Sequence, residues 1–168
     1  VFAAFQLSGN RTTTLPPALA PLPPEPTNPA LPAAPRTGLI VPADDARVPY
    51  TVLDRDVAEI GVSENRVYEY YSDIGTNLFD LAVDPSTGTL WIPNTDARNL
   101  TRFEPQLRGH FVDNRVTRLT VPQGTVASFD LNEGLDYATL PNPAAQATAL
   151  AQPTAAVFSA VGQHLWVA

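Results

Sequence analysis

The sequence predicts an all-β chain, and three observations lead there. Short runs alternate apolar and polar residues with period two, and clusters of turn-forming residues separate them. Residues 16–35, "PPALAPLPPEPTNPALPAAP", hold nine prolines in twenty positions, which rules out helix or central strand there. Only "NPAAQATALAQ" (142–152) has a helical composition, and Pro143 and Pro153 keep any helix short.

The elements follow in order. "VFAAF" at the start reads as a strand. The proline-rich run reads as an extended connector, because proline fixes φ and removes a backbone donor. It should have few internal hydrogen bonds over 15–37 and lie across a surface. A docking ligand for a proline-binding module is the alternative, which the irregular spacing weakens. "DVAEIGVSENRVYEYY" alternates at Val57/Glu59 and Val67/Glu69 around "GVSEN", so it reads as a β-hairpin. "NLFDLAV", "DPSTG" and "TLWIPN" form a second hairpin, with Asp84-Pro85 opening its turn and Gly88 closing it. "RVTRLTV" and "GTVASFDLN" add two strands around Gly124. Tyr68, Tyr70, Tyr71, Trp91 and Trp166 alternate within strands and are expected in the core or between packed sheets.

Composition bounds the function. The 168 residues suffice for one domain with a real core. A net charge of −7 argues against general nucleic-acid binding. The absence of cysteine excludes thiol nucleophiles, Cys-ligated zinc and iron–sulfur clusters within this chain. No run reaches the roughly 18–20 apolar residues of a membrane span. The chain starts at Val1 rather than Met, which reads as a processed product or a piece of a longer protein.

A repeat is visible. "DLAVDPSTGTLWIPN" and "AAVFSAVGQHLWVA" each place a small-apolar strand and a glycine turn before aliphatic–Trp–aliphatic: Leu90-Trp91-Ile92 and Leu165-Trp166-Val167. "VFAAF" has the same shape. Phe2 leads to Asn10 and Thr12 at the offsets by which Trp91 leads to Asn99 and Thr101. On these residues the chain resembles the bacterial YVTN-repeat β-propellers, akin to lactonase-like propellers, with Asn94 in the closing Asn position of the motif. In the first copy Phe5 stands in that position. The resemblance covers residues 50–103 well and 125–168 moderately.

Propeller blades run about 40–50 residues. The aromatics at 2, 91 and 166 stand 89 and 75 apart, so each interval reads as a blade plus an insertion. The expected organisation is 1–14, a partial blade strand and loop; 15–49, a proline-rich extended insertion; 50–103, a blade; 104–124, an Arg-rich insertion; and 125–168, a partial second blade. Two blade-lengths do not close a ring, and the open edges need a protein partner or the remaining blades.

The densest chemistry lies in "RNLTRFEPQLRGHFVDNRV" (98–116). Arg98, Arg102, Arg108 and Arg115, with His110, could form an anion or partner contact. The preferred reading is structural. The segment leaves the "LWIPN" strand and crosses one face, its arginines bonded to carbonyls or to Glu104 and Asp113. His110 could act as a base or ligand oriented by Asp113, whereas His164 reads as an exposed turn residue. Asp44-Asp45 and Asp54/Asp56 read as solvated carboxylates rather than a calcium loop. The triplets at Asn10 and Asn99 match a glycan acceptor, but their recurrence in the repeat favours a structural role. No catalytic set, cofactor site or metal site is predicted.

The functional expectation is a non-catalytic propeller fragment that binds or scaffolds within a larger exported protein or complex, periplasmic or extracellular as the resemblance implies. The alternative is part of a lactonase-like or dehydrogenase-like propeller enzyme whose active site lies mostly outside this chain.

Overall fold

In the computed structural model, which describes residues 1–9, 11–100 and 107–168, the chain is all-β apart from one six-residue helix. It divides into two units. One comprises residues 1–9, 54–99 and the described residues 107–168; the other comprises 11–53 and Leu100. No helix among the described residues is long and apolar enough to cross a membrane.

The smaller unit is built on a hairpin. β2 (Thr12–Leu15) pairs antiparallel with β3 (Leu39–Pro42), from Thr12↔Pro42 to Leu15↔Leu39. Residues 16–38 between them contain neither strand nor helix. Their few ties include a turn in which Leu19 and Ala20 N–H donate to the Pro16 carbonyl. Arg36 Nη2 donates to the carbonyls of Ala18 (3.0 Å) and Ala20 (2.6 Å). The proline-rich insertion therefore carries a strand of its own within 15–49. "LIVP" at 39–42 forms it because the proline density ends at Pro35, which frees backbone donors for a ladder.

The larger unit holds three antiparallel sheets. The first has the order β1–β4–β5, from Phe2–Ala4, Val57–Gly61 and Arg66–Tyr71. The second is a meander in which β8 (Leu90–Ala97) pairs on one side with β6 (Asn77–Leu78) and β7 (Ala82–Val83). On its other side β8 pairs with β9 (Val112–Thr120), which pairs in turn with β10 (Thr125–Asp130). The third is the hairpin of β11 (Ala156–Phe158) and β12 (Leu165–Val167). Turn chemistry sets the hairpins. Asp84 Oδ1 accepts from Ser86 N–H at 2.8 Å, and Gly88 takes the positive φ of 74° that closes the β7–β8 turn.

Two expected boundaries differ. β9 pairs with the full length of β8, from Leu90↔Leu119 to Ala97↔Val112. Residues 112–120 are thus a central strand, not part of an insertion spanning 104–124. The strand read at 115–121 in the sequence starts earlier, at Val112; Arg115 and Arg118 fall on its opposite faces, among the buried Val116, Thr117 and Leu119, which hides its pairing along the whole of β8. Likewise 50–103 does not form one sheet. The β4–β5 hairpin pairs with β1, while β6–β8 pair with β9.

Alternation along β8 packs the sheets. Leu90 and Ile92 join Val57, Tyr71, Ile74, Leu78 and Leu119 in a buried cluster between the first and second sheets. Trp91 points the other way. Its ring stacks on Phe129 (5.5 Å between centroids) and meets Phe158 of β11 edge-on at 6.2 Å. Tyr68, Tyr70 and Trp166 do not join the core, being 44%, 37% and 65% exposed. β5 lies at a sheet edge and buries only Tyr71; Arg66 and Arg55 cover the rings of Tyr68 and Tyr70 instead.

The link between the first two sheets, Asp73–Thr76, is held by side chains. Asp56 is fully buried, and its carboxylate accepts from the N–H groups of Ile74 (2.6 Å), Gly75 (3.3 Å) and Gly9 (3.1 Å). Ser8 Oγ donates to the Gly75 carbonyl (2.9 Å). A Cβ added to Gly75 would lie 2.4 Å from Asn94 Oδ1, inside contact distance. Gly75→Ala is expected to destabilise the fold by about 2–4 kcal/mol, because the link must shift and strand buried polar groups; urea unfolding would measure it.

Asp54 sits beside Asp56. Its Oδ1 is buried with no donor, while Oδ2 accepts from Asp73 N–H at 3.3 Å. Burial first, then the neighbouring Asp56 and Asp73 charges, push its carboxyl above the ordinary range. The folded chain thus binds this proton more tightly than the unfolded chain does. The associated stability is present below the ordinary carboxylate range and is lost as pH rises through the raised value. Asp54→Asn supplies a permanent donor and removes the charge. It should flatten this fall and raise the melting temperature near about pH 7 relative to the parent, as thermal scans across pH would show.

Candidate functional site

The Arg- and His-bearing segment meets the loop that follows β10. Before β9, a tight turn places Arg108 at φ 50° and Gly109 at φ 89°, closed by His110 N–H donating to the Leu107 carbonyl at 2.8 Å. The chain then enters β9, with Arg98 N–H bonded to the Phe111 carbonyl at 2.8 Å. The opposing loop, 131–152, is clamped at its base by two asparagines. Asn132 Nδ2 donates to the Leu150 carbonyl and its Oδ1 accepts the Leu150 N–H, both at 2.8 Å. Asn114 Oδ1 accepts from Gln152 N–H at 2.8 Å. Within the loop, Asn142 caps the helix α1 (Pro143–Thr148) by accepting from Ala145 N–H at 3.0 Å.

His110 and Tyr137 join the two segments. Their rings stack with centroids 3.6 Å apart and planes within 6°. The Tyr137 hydroxyl titrates above its usual range, from burial first and then the charges of Asp130 and Asp113. His110 Nε2 lies 2.8 Å from Asp113 Oδ1, off the line of a hydrogen bond, so the nitrogen has no hydrogen-bond partner. Their contact is ionic when the imidazole carries its second proton.

The stacked rings separate two clefts. One, of about 440 Å³, is lined by Arg108, Phe111, Val112, Leu135, Leu140 and Leu150 among others. The other, of about 570 Å³, is lined by Arg98, Arg115, Asp113, Asp130 and Glu133. Three carboxylates against two guanidiniums make the second cleft a poor polyanion site.

The expected contact residues separate accordingly. Arg98 Nη1 lies 3.3 Å from Asp113 Oδ1, a partly exposed pair worth about 0–1 kcal/mol. Arg115 turns inward: Nη2 donates to the Ile74 carbonyl (2.7 Å), Nη1 to Asp96 Oδ2 (3.0 Å) and Nε to Asn94 Oδ1 (3.2 Å). Two of the four arginines therefore bond acceptors of their own chain, as the structural reading requires. Arg108 does not; it lines the apolar cleft. Arg102 lies outside the described residues.

The described residues hold no group of three or more His, Cys, Asp or Glu placed to hold a metal ion. His110 contacts Asp113 and Tyr137, and neither contact is to a hydroxyl or thiol nucleophile paired with a base. Sequence reasoning missed Tyr137, Asn114 and Asn132. Asparagines that mimic a backbone partner have no sequence signature, and Tyr137 lies in a loop without periodicity. The fold and site define an all-β protein with a loop-walled apolar cleft beside a charged one. No known protein family, curated protein or solved structure matches the chain.

The Asn132 clamp has a local consequence. Asn132→Ala removes both bonds to Leu150 and should release the loop without unfolding the sheets. Limited proteolysis is expected to cut within 133–149 at least several-fold faster, with the melting temperature changed little.

Proposed function

We propose that the chain is a non-catalytic binding or scaffolding module built on a β-propeller plan, acting within a larger exported protein or complex. One observation carries the reading: the sheet order repeats. β1–β4–β5 has the order and directions of β8–β9–β10, and β11–β12 those of β7–β8. The sequence echoes of "VFAAF", "LWIPN" and "HLWVA" fall on β1, β8 and β12, the matching strands of the three sheets. The sheets also stack face to face, through Val57 and Leu90 on one side and Trp91 and Phe158 on the other. That is the packing a radial repeat of sheets uses.

Within the described residues the free edge of β1 pairs with no strand, and neither does that of β12. Unpaired edges accept strands, so a protein partner or further sheets fit there. The purified chain is expected to leave a panel of γ- and δ-lactones and primary alcohols (with a soluble electron acceptor) unchanged above the buffer rate. Turnover that disappears in His110→Ala would sink the non-catalytic reading and favour the enzyme alternative.

A further inference from the structure

We propose that the cleft between the Arg108 turn and the 131–152 loop binds a small apolar carboxylate, with Arg108 as the anion-binding residue. The proposal rests on the reading of the chain as a binding module, though not on its propeller plan.

Arg108 differs from the other described arginines in having no partner. Among the described residues, Arg36, Arg47, Arg98 and Arg115 bond carbonyls or carboxylates. Arg55, Arg66 and Arg118 lie over aromatic rings, and Arg11 is engaged as well. Among the described arginines, Arg108 alone has no hydrogen bond, ion pair or ring contact. Asp136 feels the Arg108 charge through space. The Asp136 oxygens already accept from Ala138 N–H (2.8 Å) and Thr139 Oγ1 (2.6 Å). All five guanidinium donors of Arg108 therefore remain available to a ligand, and the planar fork matches a carboxylate.

The backbone at Arg108 is strained. Arg108 adopts φ 50°, a left-handed conformation that costs an arginine about 1 kcal/mol or more and suits Asn or Gly. Among the described residues the return for that cost is the turn itself, closed by His110 N–H on the Leu107 carbonyl, and the turn sets Arg108 on the cleft rim.

The polar lining of the cleft is largely saturated: Asn132 is bonded at both ends of its amide to Leu150, and Asn114 Oδ1 to Gln152. Phe111, Val112, Leu135, Leu140, Ala149 and Leu150 supply its apolar walls; Asp136 also lines it, with its oxygens already bonded to Ala138 and Thr139. Phe111, Leu140 and Leu150 are 39%, 57% and 55% exposed, so a ligand body would cover apolar surface now in water. A volume of about 440 Å³ is that of a small-molecule site. An apolar body ending in one anionic group satisfies both the walls and the rim.

The test titrates the whole chain with octanoate, octanol and octyltrimethylammonium by calorimetry. Octanoate should bind saturably at one site, and octanol about tenfold to a hundredfold more weakly, the range of a charge-assisted bidentate contact. The cation should be weaker still. Arg108→Asn should bring octanoate down to the octanol level while holding or raising the melting temperature, because Asn tolerates positive φ. Arg108→Lys should fall between, since it keeps the charge and loses the fork. Equal affinities for octanoate and octanol, or an Arg108→Asn variant that binds octanoate as the parent does, would overturn the proposal. Absence of saturable binding would overturn the site and leave the module reading intact. Turnover of octanoate esters by the chain would instead overturn the non-catalytic reading.

Discussion

The short link Ile74–Gly75–Thr76 is where the larger unit is joined. Its first two amides are fixed by the buried Asp56 carboxylate, just before the central strand of the first sheet. Its first carbonyl is fixed by Arg115 Nη2 and Thr117 Oγ1 from the second. Thr76 N–H donates to the Thr95 carbonyl at 2.8 Å, and Thr76 Oγ1 to Asp96 Oδ1 at 3.1 Å. A buried link without these partners would leave several backbone groups unsatisfied, each costing about 1–3 kcal/mol. The sheets therefore sit where the polar groups meet, and the apolar cluster around Leu90 and Ile92 fills the space that placement leaves. Gly75 is required for the same reason, since Asn94 occupies the volume a side chain would need.

Two uses of arginine follow from this arrangement. Arg115 is largely buried, and each guanidinium nitrogen has an acceptor, so burial of its charge is compensated. Asn94 and Thr117 complete the network, with Asn94 Nδ2 donating to Thr117 Oγ1 and to the Ile92 carbonyl at 2.8 Å each. Arg108 stands in an adjacent turn with none of these contacts. The contrast lies in position along one strand. Arg115 sits inside β9 opposite Asn94, whereas Arg108 precedes the strand and projects at a rim. One locally cationic stretch thus contributes both to the core and to a surface.

Strands and turns were legible where side chains report their own surroundings. The alternation at Val57/Glu59 marks β4, and Asp84 with Gly88 marks the β7–β8 turn. The Leu90-Trp91-Ile92 triplet marks a strand buried on both faces. β9 was legible only in part, because its inward-turned Arg115 and buried Thr117 serve the network rather than the apolar pattern. Asp56 was read as a solvated carboxylate beside Asp54, yet it is wholly buried. Nothing in "LDRDVAE" reveals that its acceptors meet N–H groups from residues 9, 74 and 75. Site legibility was similarly divided. The Arg/His segment is visible in composition, but its wall partner Tyr137 and the Asn132 clamp depend on contacts that only the folded loop creates.

The long insertions and the polar link are related by topology. One insertion, residues 10–53, leaves after β1 and returns before β4; the other leaves after β8 and returns at β9. β1 and β8 are matching strands in the repeated sheet order, so both insertions open at the same point of the pattern. Closing a loop costs entropy that grows only slowly with its length, so a long insertion is tolerated if its ends are fixed. The link fixes both. Gly9 and Asp56 bracket the first insertion and are bonded to each other through the Asp56 carboxylate. Asp96 and Arg115 bracket the second and are bonded at 3.0 Å. A point held this firmly can carry a 44-residue excursion at 10–53 in one sheet and the arginine turn with its cleft in the next. The polar network that joins the sheets thereby also fixes the ends of both insertions.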